Sequence, residues 1–507
     1  MKFGLTENII EKINIVFEDN SRVDKAIIFG SRAKGNYREG SDIDIAIKGR
    51  GLTFSDLLEL SVKLDELNLN YKVDLLDYGT IKEKDLIEHI DRIGIEFYSR
   101  RKKTEFGEIP TEWELKKIIE LKSSAKNAIA MGPFGSNIKA ENFVSKGVPV
   151  IRGTNLNFNR YVGGEFVFLN DEKADELKGS NCKPGDLVYT HRGTIGQVGI
   201  IPEGQYPRYV ISQSGMKLTV DENKINSEFL FYFFKSKTGQ YQLLKNEAQV
   251  GVPCISNPLT TLKEIEVPVP KLSEQAQIVA ILSSLDDKID LLTRQNKTLE
   301  QLAETFFRQW FVEEAEKYNP SKLEDWIFFD PKEKMDKQKT YQMFEMKCLS
   351  NNNMSIEEGI IREVSSATTF KNGDTLLAKI TPCLENGKTG FVMDLAENEI
   401  ARGSTEFIVM RSKGQVSPYW IYCLARSKDF RDSAIQSMTG TSGRQRVQID
   451  LLKTYRVNVD LKRMQEFHVR SEAYFKKIKT NLDQIHTLIQ LRDTLLPKLM
   501  NGEVRIN

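Results

Sequence analysis

The chain has 507 residues, of which 40% are hydrophobic and 28% charged, and its formal net charge is +1. That balance supports roughly three or four domains at about 100–200 residues each, and it excludes a polycation that binds nucleic acid along its whole length. No apolar run approaches the roughly 18–20 residues of a membrane span, and the five cysteines contain no CxxC pair, which argues against a zinc site or a disulfide framework and fits a reducing cytoplasm.

The opening stretch, residues 1–8, has no apolar h-region, so no signal peptide is expected. Residues 26–35, AIIFGSRAKG, read as a strand, a tight turn and the start of a helix. Residues 41–47, SDIDIAI, read as a strand in which Asp42 and Asp44 alternate with apolar residues, so both carboxylates project from one face. A further strand, residues 72–76, adds Asp74. Three carboxylates can hold two Mg²⁺ ions that clamp the attacking and leaving oxygens of a phosphoryl displacement. Gly30 and Ser31 would hold a triphosphate through backbone N–H groups and a hydroxyl, and Arg32 or Lys34 would neutralise its charge.

With these motifs, residues 1–99 resemble the minimal nucleotidyltransferase domain of the DNA polymerase β superfamily. The resemblance implies Asp42, Asp44 and Asp74 as catalytic and metal-binding residues, with Gly30, Ser31, Arg32 and Lys34 binding nucleotide. It also implies Mg²⁺ and ATP as cofactors, and an antitoxin-like transfer of AMP from ATP to a hydroxyl of a protein acceptor. A retained fold with little activity is the alternative. The family's usual partner is an all-helical ribonuclease toxin with an Arg-x4-6-His motif; Arg463 and His468 have that spacing but open a long helix, and are read as coincidence. Residues 100–106, with Arg100-Arg101-Lys102-Lys103, read as a solvated linker.

Beyond the linker the chain repeats itself at an offset of about 189 residues. Gly185-Asp186 falls on Gly373-Asp374, residues 227–232 fall on 417–422, and Gly251 falls on Gly440. Two mixed α/β domains are therefore expected at 107–272 and 319–462, each with a short strand after its Gly-Asp turn and a short helix with core aromatics. A spacer helix follows each, at 273–318 and 463–507. The first is expected over Ser273 to Glu316, with a seam through Ile278, Leu282, Leu285, Ile289, Leu292, Asn296, Leu299, Ala303, Phe306 and Trp310. The second is expected over Arg463 to Met500, with Ile478, Ile485, Leu488, Leu491 and Leu495 on its apolar side. Lengths of about 66 and 57 Å follow at 1.5 Å per residue. Antiparallel packing of the two as a coiled coil would bury both seams; oligomerisation with another chain is the alternative.

Two related domains held apart by stiff helices would match two short DNA sequences about one turn (~34 Å) apart. Two basic stretches fit that reading. Residues 426–463 carry nine Lys/Arg against four Asp/Glu, and residues 178–217 carry five against two. The best candidate contacts are Thr441, Ser442, Arg444, Gln445 and Arg446 in the second domain, and His191, Arg192 and Gln249 in the first. For each of these an ordinary surface-loop role stays open.

Residues 107–507 resemble the specificity (S) subunit of type I restriction-modification systems. The resemblance rests on residues 106–113 (FGEIPTEW), 268–275 (PVPKLSEQ) with 281–289 (ILSSLDDKI), 378–383 (AKITPC) and 491–502 (LRDTLLPKLMNG). It implies a mixed α/β chain with two target-recognition domains and two spacer helices, reading a split double-stranded DNA target. It further implies that the helices dock two methyltransferase subunits, that motor/nuclease subunits join that core, and that S-adenosylmethionine enters only through the methyltransferase. The second domain lacks a Gly-Glu-Ile-Pro-type opening and follows a charged stretch, 313–340, so its start stays open. No Asn-Pro-Pro-Tyr methyltransferase motif occurs, and Gly387-Lys388-Thr389 is no P-loop because Pro382 stands where its first glycine belongs. Two other readings are a protein nucleotidyltransferase targeted by the rest of the chain and a pure assembly scaffold. A cytoplasmic location without membrane contact is expected.

Overall fold

The computed structural model describes residues 2–105, 107–134, 137–156, 160–248, 251–315, 320–334, 340–357, 359–361, 367–441 and 443–505. The candidate contacts Gln249 and Ser442, the expected helix end at Glu316 and the expected boundary at 318/319 lie outside the described residues. The chain divides into two units, Met1–Asp286 with Gln490–Asn507, and Asp287–Ile489. The division cuts both long helices.

The first unit begins with a four-stranded sheet in the spatial order Val73–Asp77, Ile43–Gly49, Val23–Ile28, Ile95–Ser99. Ile28, Ile43, Ile45 and Ile47 turn into a core closed by Ile13 and Phe17 of helix Glu7–Asp19 and by Leu60 and Leu64 of helix Phe54–Glu66. Thr6 and Thr53 cap those helices through side-chain oxygens that accept from the first-turn N–H groups. Strands Ile43–Gly49 and Val73–Asp77 run parallel, with Asp44 opposite Asp74. That register brings the third carboxylate beside the Asp-x-Asp pair.

Residues 100–104 are not a solvated linker. Strand Arg101–Thr104 pairs antiparallel with Gly107–Pro110. Arg100 donates to the carbonyls of Val23, Phe17, Glu18 and Asn20, and Arg101 to those of Asn501 and Gly502. Lys102 donates to the carbonyls of Thr111 and Trp113. Free helix ends and turns supply carbonyl acceptors that cations satisfy, so a basic run becomes a seam.

The rest of the first unit has two main sheets. One contains Val148–Ile151 parallel to Tyr209–Ile211; the other orders Val198–Ile200, Leu187–Thr190, Gly215–Leu218, Ile129–Met131. Helix Ser227–Lys235 buries Phe229 through Phe234 against Ile278 and Leu282 of the first long helix and Leu496 and Leu499 of the last. These aromatics are core.

The second unit repeats the plan. Gln342–Phe344 runs parallel to Ala401–Gly403, and a second sheet orders Ile327–Phe329, Phe407–Ser412, Thr375–Ala378, Thr389–Phe391. Helix Pro418–Arg426 buries Trp420 and Tyr422 in a core shared with Ala303, Phe307 and Phe311 and with Phe467, Phe475 and Ile478. The Gly-Asp turns coincide in detail. Gly185 and Gly373 sit at φ 86° and 88°, and the carboxylates of Asp186 and Asp374 accept from the N–H of Lys183 (3.0 Å) and Lys371 (2.8 Å).

The long helices are Leu272–Arg308 and Leu461–Met500. The first continues past Arg308 as one π-helical turn, Gln309–Glu313; Phe307 and Phe311 are buried here, with Phe306 and Trp310 partly buried against the same core. Their partners run in opposite senses. In the first unit Arg492 Nη1 donates to Asp286 at 2.9 Å; in the second the Asn481 amide donates to Asn296 at 2.7 Å and Gln295 at 2.8 Å. Asn296 thus meets a polar partner at the seam, as a register-setting amide would. Leu491, expected inside, is exposed, because buried Asp286 draws Arg492 into that place instead.

Candidate functional site

Two sites follow from the fold. In the N-terminal sheet, strand Val23–Ile28 delivers Phe29, whose N–H donates to the Asp44 carbonyl at 2.9 Å. Gly30 then turns at φ +70° into the short helix Gly30–Lys34. A Cβ on Gly30 would lie 2.2 Å from Asp44 Oδ2, so glycine is required for the carboxylate to sit there. Ser31 is half-buried and Lys34 exposed on that helix. Asp44 is half-buried, and its carboxyl is held above the usual range, chiefly by burial and then by Asp74 and Asp42, with Arg32 opposing.

Arg32 is not available to a phosphate. It is 2% exposed, donates to the carbonyls of Ser41 (Nη2, 2.6 Å), Asp42 (Nε, 3.1 Å) and Phe3 (Nη1, 3.0 Å), and lies over the Tyr71 ring. Its fork pins the loop that carries Asp42, which is exposed just before its strand. Asp74 is ion-paired with Lys72 at 2.6 Å. Among the described residues no three His, Cys, Asp or Glu side chains converge into a metal cage. The donor chemistry still suits a hard divalent cation, since the repulsion from Asp74 and Asp42 that adds to burial in raising Asp44 is what such an ion relieves.

In the first recognition domain the segments around 191 and 253 meet. Gly193 N–H donates to Pro253 O at 2.9 Å, and Arg192 bridges Cys254. Arg192 is exposed. His191 is not a base reader: it is buried, its Nε2–H donates to the Gln213 carbonyl at 3.1 Å, and burial holds its pKa below the ordinary value. In the second domain Thr439 and Arg446 close a hairpin through N–H to carbonyl bonds of 3.0 and 2.9 Å. Its tip exposes Thr441 and Arg444, and Gly440 and Gly443 take φ of 131° and 80°. Gln445 is half-buried, with its carbonyl accepting from Thr381 N–H at 3.1 Å, and Arg446 is ion-paired with Glu406 at 2.6 Å. Arg32, Tyr71 and Glu406 thus take positioning roles that no spacing rule announced.

Comparison with known proteins agrees with both halves. Residues 110–301 match the type I restriction modification DNA specificity domain, and residues 11–103 match the polymerase beta nucleotidyltransferase family. The type I restriction enzyme MjaIX specificity subunit of Methanocaldococcus jannaschii is 25% identical over 446 residues, spanning 80% of this chain and 96% of that protein. A second protein of that organism, provisionally named protein adenylyltransferase MJ0435, is 40% identical over 74 residues, 14% of this chain and 78% of its own length. The crystal structure of a type I S subunit from M. genitalium aligns over 76% of this chain and 96% of its own, at 14% identity and a TM-score of 0.47. Among the described residues no helix is long and apolar enough to cross a membrane. The chain carries a type I restriction modification DNA specificity domain at residues 110–301 and a polymerase β-type nucleotidyltransferase domain at its N-terminus.

Proposed function

We propose that this specificity subunit reads a bipartite double-stranded DNA target, one half per recognition domain, and docks two methyltransferase subunits on its long helices. Motor/nuclease subunits join that core, S-adenosylmethionine enters through the methyltransferases, and the complex works in the cytoplasm. The working division is 1–99 nucleotidyltransferase, 107–272 and 319–462 recognition, 273–318 and 463–507 spacer helices. The observation that carries this reading is the duplicated domain, each copy followed by a helix about 55–60 Å long. Arg192, Thr441, Arg444 and Arg446 are the exposed candidates for DNA contact, Arg446 while ion-paired with Glu406. Selection from randomised duplex DNA by the full chain with its co-purifying subunits tests it: two short conserved blocks at one fixed spacing are expected. Enrichment of no motif would remove DNA reading in favour of a scaffold.

The N-terminal domain is proposed to transfer AMP from ATP to a protein hydroxyl. Asp42 and Asp44, with Asp74 released from Lys72, would hold Mg²⁺, which when bound supplies the charge that draws phosphate and acceptor oxygen together. Gly30 and Ser31 offer N–H and hydroxyl groups to the triphosphate, and Lys34 is exposed where Arg32 is buried against carbonyls. The acceptor oxygen bonds to the α-phosphorus, pyrophosphate leaves, and the hydroxyl proton passes to a carboxylate or water. Full-length protein with its co-purifying subunits, incubated with Mg²⁺ and ATP labelled at the α-phosphate, should label a protein of the complex. No labelling, and no difference in an Asp42→Ala/Asp44→Ala variant, rejects the transfer.

A further inference from the structure

The two recognition domains share one corner whose backbone hydrogen bonds repeat while most of its side chains do not. In the first, Ser212 N–H donates to Ile151 O, Gly215 to Ser212, His191 to Ser214, Gly193 to Pro253 and Ile255 to His191, all at 2.9 Å. In the second, Ser404 donates to Phe344, Phe407 to Ser404, Lys379 to Glu406, Thr381 to Gln445 and Val447 to Lys379, at 2.8–3.1 Å. The bridge Arg192–Cys254 corresponds to Ile380–Arg446. The parallel strand pair that ends at Ile151 and Ile211 corresponds to the pair that ends at Phe344 and Gly403. These bonds fix which residue of one domain stands for which residue of the other.

On that frame, half-buried Ser212 and Ser404 are the same residue in the same place. Exposed Gln213 becomes exposed Thr405, and half-buried Ser214 becomes half-buried Glu406. Exposed Arg152 becomes half-buried Glu345, which pairs with Lys347 at 2.9 Å, and Cys254 becomes Arg446. In the first domain a cleft of about 230 Å³ opens between Arg152, Ser212 and Gln213 on one side and Phe143 and Val150 on the other. Arg152 and Arg192 have no acidic partner among the described residues. In the second domain the matching place holds the Glu406–Arg446 ion pair at 2.6 Å.

We propose that this repeated corner is the base-reading surface of each recognition domain, with Arg152 and Gln213 reading one half-site and Thr405 and Glu406 the other. The inference rests on the DNA-reading function proposed above and says where on each domain it is exercised. The partner is the major-groove edge of duplex DNA. A pair of domains that must read two different half-sites needs one rigid backbone frame and different chemistry at the few side chains it presents, which is what the corner has. Arginine fits guanine O6 and N7, glutamine fits adenine N6 and N7, and a glutamate beside an arginine can accept from cytosine N4 while the arginine takes the neighbouring guanine or phosphate. Apolar walls beside Arg152 suit a thymine methyl.

The test is selection from randomised duplexes by the full chain with its co-purifying subunits, comparing wild type with Arg152→Ala/Gln213→Ala and with Thr405→Ala/Glu406→Gln. The first three side chains are exposed and the fourth half-exposed, and unchanged thermal unfolding serves as the control for folding. The first variant should lose on the order of ten- to a hundredfold discrimination at base pairs of one half-site only, and the second variant at the other half-site only. Wild-type motifs from both variants overturn the proposal. So does a uniform loss across all sequences with a shallower salt dependence, which marks phosphate contacts. A wild-type complex that enriches no motif overturns the DNA-reading function itself, and with it this assignment.

Discussion

Glu300 gives the sharpest test of how the second recognition domain is seated. It lies on the first long helix, 5% exposed, and accepts from the Tyr422 hydroxyl and from Met354 N–H at 3.2 Å. Burial pushes its carboxyl up to about 7 from 4.5; nearby Glu304 adds to the rise, and Tyr422, Arg426 and Met354 oppose it. In the unfolded chain the group titrates near its ordinary value, so between pH 4.5 and 7 the native state binds more protons than the unfolded one. Stability must then fall as pH rises through that window. At 1.36 kcal/mol per pK unit the loss is about 3 kcal/mol, complete by roughly pH 8. Glu300→Gln removes this slope. The glutamine carbonyl still accepts from Tyr422, but its NH₂ faces Met354 N–H, a loss of about 1–2 kcal/mol. The variant should therefore be less stable than wild type at pH 5 and more stable at pH 8, each by about 1–2 kcal/mol. Denaturant unfolding of the second unit's transition at several pH values reads the difference directly. A wild-type-minus-variant difference that stays constant from pH 5 to 8 would refute the reasoning.

Three further outcomes are expected. Gly30→Ala places a methyl group 2.2 Å from Asp44 Oδ2 at a positive φ; it should abolish label transfer from ATP and cost the N-terminal domain about 1–2 kcal/mol, read by thermal unfolding. Arg492→Ala leaves the buried Asp286 carboxylate with the Tyr232 hydroxyl at 2.8 Å and the nearby Lys235 charge, and should cost the first unit roughly 3 kcal/mol, the low end for breaking a buried pair. Adding Asp286→Asn should recover most of that loss; failure to recover would show that packing, not charge, dominates. Arg444→Ala should weaken specific DNA binding by about 1–3 kcal/mol, and unchanged affinity for the selected motif counts against its contact role.

Short-range chemistry was legible in the sequence. The Gly-Ser turn, the Asp-x-Asp pair and the Gly-Asp turn each depend on a few neighbouring residues, and the fold keeps them together. The fate of individual cations was not legible. Arg32, Arg100 and Arg101 read as free charge, yet each is satisfied by carbonyls, from the N-terminal loops or from Asn501 and Gly502, that only the tertiary structure brings near. His191 is the same error in a histidine. The seam widens where the helix meets a globular neighbour: Phe307 and Phe311 are buried beside the expected Phe306 and Trp310, and Asp286 exchanges Leu491 for Arg492. The repeat offset also varies along the domain: 193 residues for Ile151 onto Phe344, 188 for His191 onto Lys379 and 192 for Cys254 onto Arg446. A single offset of about 189 averages over these shifts.

The junction between the nucleotidyltransferase domain and the first recognition domain constrains how the proposed transfer can work. Arg505, 12% exposed at its side chain, binds Glu274 at 2.6 Å and Glu112 at 2.9 Å and lies 3.7 Å from Glu96 of the N-terminal sheet. Arg100 closes on four carbonyls of that same domain, and the strand after it joins the next hairpin. A flexible tether would let the site search for an acceptor at millimolar effective concentration, whereas a pinned domain meets only what is brought to it. An acceptor hydroxyl must then sit on something docked within reach of Asp44, so labelling should require assembly of the complex. Mixing the chain with an unattached acceptor protein should give label transfer that rises only when that protein also binds the first unit, and transfer to non-binding proteins at the same rate would show the junction to be no constraint.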